Sequence, residues 1–338
     1  MKKTKAPLRR LPVGAEVQPA GGVHFRVWAP RRKRVEIMLE PAGGAQSATA
    51  HELPPDDAGY FSGLLFDAAP GMRYRFRLDG ERAYPDPASR FQPKGPQGPS
   101  QIVDPGAFEW TDHDWRGVHL AGQIIYEMHV GTFTRQGTWD AAAGELEALA
   151  DLGITVLEIM PVADFTGSFG WGYDGVDLYA PTRLYGTPDD LRRFVDRAHR
   201  AGLAVILDVV YNHFGPEGAY FTEFSDDYFT DRYENEWGKA INFDGRNSAP
   251  VRQFIIANAG YWIDEFHLDG LRLDATQQIF DATSPHVLAE ITRHARQAAQ
   301  GREIIVVGEN EPQQVRLIRP VEQGSCEKII GKISDIAI

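Results

Sequence analysis

Apolar positions along the chain follow two rhythms, and the change falls near residue 105. Before it, short runs alternate apolar and polar residues: Val23 to Trp28, Val35 to Leu39, Tyr60 to Leu65 and Tyr74 to Leu78. A period of two with Gly and Pro between the runs predicts a small antiparallel β-sandwich. Arg31-Arg32-Lys33-Arg34 falls at a turn between two such strands, where a solvated turn outweighs a phosphate-binding patch. Pro85, Pro87, Pro93, Pro96, Pro99 and Pro105 then exclude a central strand or long helix and predict a linker or an ordered extended crossing.

From residue 124 the pattern becomes strand then helix. Continuous apolar runs predict strands at Ile124 to Val130, Thr155 to Met160, Ala204 to Val210, Gly270 to Ala275 and Glu303 to Gly308. Helical spacing joins Leu146, Leu149 and Ala150, with a stop at Gly153. Thr187-Pro188 is an N-cap and first-turn proline for a helix whose apolar face is Leu191, Phe194, Val195 and Ala198, ending at Gly202. Val251, Phe254, Ile255 and Trp262 stripe a third helix, and Ser284-Pro285 is read as the cap of a fourth. Apolar strands alternating with amphipathic helices predict a parallel sheet. No glycine-rich phosphate loop follows the first strand, and polar residues gather at the strand ends. The expected fold is therefore α/β: a (β/α) TIM-type barrel, incomplete at about five strands, preceded by an all-β sandwich. The expected domains are 1–104, the sandwich, and 105–338, the partial barrel with an extended loop at about 211–248.

The net charge of −12 argues against nucleic acid or anionic lipid as a partner, and a neutral sugar meets no penalty at such a surface. The single cysteine, Cys326, the start without an apolar leader core, and the lack of a membrane-length apolar run lead to the expectation of a soluble cytoplasmic protein.

Candidate chemistry lies at the strand ends. On the fourth strand Arg272 and Asp274 are two apart and point the same way, so the guanidinium would keep Asp274 ionised. Glu309, ending the next strand, is placed to meet Asp274 and is expected to have a raised pKa. Retaining glycosidases use such an unequal pair about 5–5.5 Å apart, close to the spacing of neighbouring strands. Trp171, Tyr173 and Tyr211 are candidates for sugar-ring contacts. Alone, each residue has a plainer reading: an Asp as a cap, His213 as a loop hydrogen-bonder, Trp171 as packing, Glu309 as a partner of Arg272. Together, in this order on successive strands, they outweigh those readings.

At Asp208 to His213, Gly270 to Asp274 and Glu309 the chain resembles the α-amylase superfamily. Within it the chain is most similar to the malto-oligosyltrehalose trehalohydrolase family, through Phe169 to Pro181, Asn235 to Gly245, Phe266 to Gln277 and Gly308 to Gln313. The resemblance implies an immunoglobulin-like front module resembling a carbohydrate-binding module. It implies retaining hydrolysis of the α-1,4 bond beside the terminal trehalose of maltooligosyl trehalose, in a pathway with maltooligosyltrehalose synthase. Asp274 would be nucleophile and Glu309 proton donor. Arg272, Thr276 and Gln277 would line the substrate site, with Asp208 bracing Arg272. Tyr173 would stack on the sugar at the cleavage site and His213 would hydrogen-bond that ring, with Asn212 and Trp171 as further substrate-binding residues. No cofactor and no metal site is expected.

The family's third catalytic carboxylate lies in an Asn-His-Asp motif, and none follows Glu309. With about five strands where a barrel has eight, and an uncharacteristic stretch from about Gly324, the expectation is a truncated or frameshifted chain of low solubility and little activity. The alternatives are a branching or debranching enzyme of the same superfamily, or a non-catalytic glucan-binding remnant.

Overall fold

Two short sheets face each other at the front of the computed structural model, which describes residues 9–41 and 47–314. Strands β1 (Gly14–Val17), β2 (Val23–Trp28), β3 (Val35–Glu40), β4 (Thr49–Leu53), β5 (Tyr60–Leu65) and β6 (Arg73–Leu78) are all antiparallel to their neighbours. One sheet runs β1-β2-β5; the other runs β4-β3-β6 and is extended by Ala83–Tyr84 and Ser100–Gln101. Alternate residues Val35, Ile37, Leu39 and Tyr74, Phe76, Leu78 turn inward and are buried, as the period of two requires. The sequence pattern missed β1 and β4. β4 is a sheet edge and exposes most of its side chains, so it carries no apolar alternation.

The proline-rich stretch is an ordered crossing rather than a loose linker. Asp86, Ser89, Arg90, Gln92 and Ser100 are buried in it. Tyr74 Oη donates to Asp86 at 2.6 Å, and Arg90 Nη2 donates to the Val13 carbonyl at 3.1 Å. The Arg90 guanidinium sits over the rings of Tyr179 and Tyr261, 4.5 and 4.8 Å from their centroids. One side chain thus ties the sandwich to the second unit.

That unit is a sheet of five parallel strands in chain order: β7 (Ile125–Met128), β8 (Val156–Ile159), β9 (Ala204–Val209), β10 (Gly270–Leu273) and β11 (Ile305–Gly308). Helices α1 (Leu146–Leu152), α2 (Pro188–Arg200), α3 (Ser248–Glu265) and α4 (Val287–Ala298) lie between successive strands. Gly153 closes α1 at φ +96°, where a side chain would be strained. Thr187 opens α2 with a capping box to Asp190. The fourth helix is capped by His286, whose side chain accepts from the Leu288 N–H, and not by Ser284-Pro285, which lie just before it.

The inner face of the sheet is layered. At the N-terminal end of the strands Val156, Ala204, Ile206 and Ile305 are covered by Trp115, Val118 and Leu120, a plug that carries no periodic signal in the sequence. Behind the plug His199 joins two carboxylates, Asp112 at 2.8 Å and Asp269 at 2.9 Å. Cys326 and the stretch from Gly324 lie outside the described residues. Among those described, no helix is long and apolar enough to cross a membrane.

Candidate active site

Register brings the polar strand ends together. Asp208 on β9 is the direct neighbour of Arg272 on β10, and Arg272 of Val307 on β11. The ladder continues past the strands: Asp274 N–H donates to the Val209 carbonyl at 3.1 Å, and Glu309 N–H to the Leu273 carbonyl at 3.0 Å. Asp274 and Glu309 therefore share one level at the ends of adjacent strands, and Asp208 lies two residues below them on the next strand, level with Arg272.

Arg272 is the hub. Its Nη1 lies 2.8 Å from Asp208 Oδ2 and 2.8 Å from Asp274 Oδ1, and its Nη2 lies 2.9 Å from Glu309 Oε2. Asp274 is nearly buried, and Asn212 Nδ2 donates to its Oδ2 at 2.8 Å and to its carbonyl at 2.9 Å. Tyr173 Oη donates to Asp208 Oδ2 at 2.9 Å, while Asp208 Oδ1 is buried without a partner. Burial pushes the Asp208 carboxyl up to about 7 against the pull of Arg272. Burial also raises the Tyr173 phenol and lowers the His213 imidazole, favouring the neutral form of each.

Glu309 is held as an acceptor. Besides Arg272 it receives the Ala275 N–H at 2.9 Å, from a residue turned to φ +39° directly after Asp274. To protonate a leaving oxygen its carboxyl must exchange these donors for that oxygen, and its side chain, 46% exposed, has room to do so.

The remaining expected contacts divide. His213 is next to the site, its Nδ1 bonded to Asn212 Oδ1. Trp171 is 73% exposed on the loop after β8, beside Phe169 at 96%. Thr276 is buried, its N–H and Oγ1 both donating to the Glu309 carbonyl, at 2.8 and 2.5 Å, so it braces Glu309 instead of facing a ligand. Gln277 borders a cavity of ≈ 240 Å³ with Tyr233 and Phe280, and its Oε1 is buried without a partner. Tyr211 does not belong to the site: its ring is buried in the core and its Oη donates to Asn258 of α3 at 2.7 Å.

Three participants escaped the sequence reading. Asn235 Nδ2 donates to the Asn212 carbonyl at 2.7 Å, Trp237 leans on His213 with ring centroids 5.5 Å apart, and the Ala275 N–H binds Glu309. Asn235 and Trp237 stand in a segment that carried the resemblance, which was the one available signal. Among the described residues no group of three or more His, Cys, Asp or Glu could hold a metal ion.

Two family models match, the carbohydrate-binding module 48 (isoamylase N-terminal domain) over residues 12–105 and the alpha amylase catalytic domain over residues 102–251. The chain is 43% identical over 302 residues to the malto-oligosyltrehalose trehalohydrolase of Saccharolobus solfataricus, covering 89% of this chain and 52% of that protein. It is 43% identical to that of Deinococcus radiodurans, covering 84% and 46%. A 1,4-alpha-glucan branching enzyme of Xanthomonas oryzae is 33% identical, covering 77% and 38%. A crystal structure described as a candidate alpha amylase from Salmonella typhimurium superposes with a TM-score of 0.83 at 43% identity, covering 89% of this chain and 50% of that one. The chain thus spans about half the length of the curated relatives it matches.

Proposed function

The chain belongs to the α-amylase superfamily, as a carbohydrate-binding module 48 followed by the first strands of an alpha amylase barrel, and on that premise we propose that its strand-end carboxylates serve a retaining glycosidase. The reaction is cleavage of the α-1,4 bond next to the terminal trehalose of maltooligosyl trehalose, with release of trehalose. Asp274 attacks the anomeric carbon while Glu309 gives its proton to the departing oxygen. Water then opens the glycosyl–Asp274 ester as Glu309 takes the proton back. The observation that supports this most is Arg272, which gathers Asp274 and Glu309 on one guanidinium from neighbouring strands. The names of the relatives above 40% identity favour the trehalose-releasing specificity over branching.

The same proposal includes an α-glucan partner, a pathway link to maltooligosyltrehalose synthase and a cytoplasmic location. A mechanism-based fluoroglucosyl fluoride, followed by peptide mass mapping, tests the nucleophile. The label is expected on Asp274 and absent from an Asp274→Asn chain. Labelling of another carboxylate overturns the assignment. Product analysis separates the specificities, since α-1,6 links in place of free trehalose would indicate the branching reaction.

A further inference from the structure

The basic run Arg31–Arg34 has no part in the chemistry above, yet it touches the loop that roofs the site. Arg31 spans two carboxylates of that loop, Asp226 at 2.8 Å and Asp227 at 3.2 Å. Arg32 Nε donates to the Glu223 carbonyl at 2.9 Å, and its Nη2 donates to the same oxygen. Beneath them Trp28 meets Tyr228 edge-on at 5.2 Å, and Phe76 and Tyr84 close on Phe224 at 6.1 and 6.4 Å.

From there the loop runs as a hairpin, Phe229–Asn235 against Gly238–Ile241. Both of its roots are pinned near Arg31. Asn242 Nδ2 donates to the Asp227 carbonyl at 2.9 Å, the Asn242 N–H to the Tyr228 carbonyl at 3.0 Å, and Asn247 Nδ2 to Asp227 Oδ2 at 3.0 Å. The hairpin's far end reaches the site through Asn235, which binds the Asn212 carbonyl, and through Trp237 against His213. Asn212 in turn holds Asp274. An unbroken series of contacts thus joins the front sandwich to Asp274.

We infer that the Arg31–Arg32 turn is a positioning device: it sets the hairpin over Asn212 and His213, and through Asn212 the orientation of Asp274. The catalytic consequence rests on the reading of Asp274 as nucleophile; the positional claim rests on the contacts alone. Arg31 and Asp226 are exposed, so their ion pair adds little to global stability. Their loss should loosen the hairpin locally and leave the two cores folded.

The test uses the whole 338-residue chain carrying R31A/R32A, with R31K/R32K as the conservative variant. Amide exchange across 229–241 is expected to quicken about tenfold in R31A/R32A while the strands of the sandwich and of the parallel sheet exchange as before. The His213 ring resonances should move as Trp237 shifts. R31K/R32K should restore both readouts in part, because an ammonium replaces the charge but not the fork. Unchanged hairpin exchange together with an unmoved His213 signal overturns the inference. Should R31A/R32A fail to fold, D226N attacks the Arg31 contact from the other side, with the same two outcomes. Neither readout needs substrate, so they stand apart from any failure of the glycosidase reading.

Discussion

Replacing Arg272 by Ala strands three carboxylates, and their burial decides the damage. The Asp208 side chain is 1% exposed, that of Asp274 12% and that of Glu309 46%. Glu309 simply turns to water and contributes nothing we would assign. Asp274 keeps the Asn212 amide, so its loss is about 1 kcal/mol. Asp208 keeps only Tyr173, with its other oxygen already orphaned. Breaking a buried pair in this way costs about 3–5 kcal/mol. Proton uptake limits that cost, because the Asp208 carboxyl is already pushed up to about 7 and rises further without Arg272. R272A is therefore expected to lose about 2–4 kcal/mol at neutral pH. Urea unfolding of wild type, R272A, D208N and D208N/R272A measures it. The double variant should be more stable than R272A, and the R272A deficit should shrink as pH falls and Asp208 takes its proton. A deficit below about 1 kcal/mol, or one unchanged from about pH 8 to 5, would refute a shared, desolvated hub.

Tyr173→Phe removes the one hydroxyl on Asp208 and is expected to cost about 1 kcal/mol in urea unfolding, with no such cost in a D208N background. Burial works against the charged His199 imidazole, but its bonds to Asp112 and Asp269 outweigh that and raise its pKa. Burial likewise works against the Asp112 carboxylate, and the bonds from His199 and His267 outweigh it and lower its pKa. The His199 contribution is thus full below its unfolded pKa of about 6.5 and lost as pH rises through the folded value; the Asp112 contribution is full above about 3.8 and lost as pH falls through its own. The stability gap between wild type and H199Q should accordingly peak near about pH 5 and narrow on the alkaline side, and a gap that widens there would sink this account. Gly270→Ala would place a Cβ 1.9 Å from the Ile305 carbonyl, so it should part β10 from β11 and lower the melting temperature by several degrees, about 2–3 kcal/mol; an unchanged melting curve would contradict the register described.

Arg272, Asp274, Asp208 and Glu309 were legible because strand periodicity is local. Two residues apart on one strand, or level on adjacent parallel strands, side chains share a face whatever the rest of the chain does. Tyr211 shows where that logic stops: it follows β9, where the pleat no longer dictates direction, and a partner 47 residues away turns it into the core. The Arg31 clamp was unreadable for a stronger reason. Its acids lie 195 and 196 residues downstream, so the run looks like a solvated turn until the units are docked. The Trp115–Leu120 plug escaped because residues that fill a barrel's end obey no helical or strand period.

The charge count at the hub bears on what it can do. With Glu309 protonated as the proposed acid, Asp208 and Asp274 share one guanidinium, so their full ionisation would leave one negative charge in excess in a half-buried space. A structural ion-pair network gains nothing from such an imbalance, and the orphaned Asp208 oxygen adds to its cost. The imbalance suits a reaction whose transition state is positive. Glycosidic cleavage develops an oxocarbenium-like charge on the sugar, and a preformed excess of carboxylate at that point stabilises it without rearrangement. A neutral glucan meets no such gain in the ground state. Under the proposed reaction the arrangement would favour the transition state over the bound substrate, which is what accelerates a chemical step.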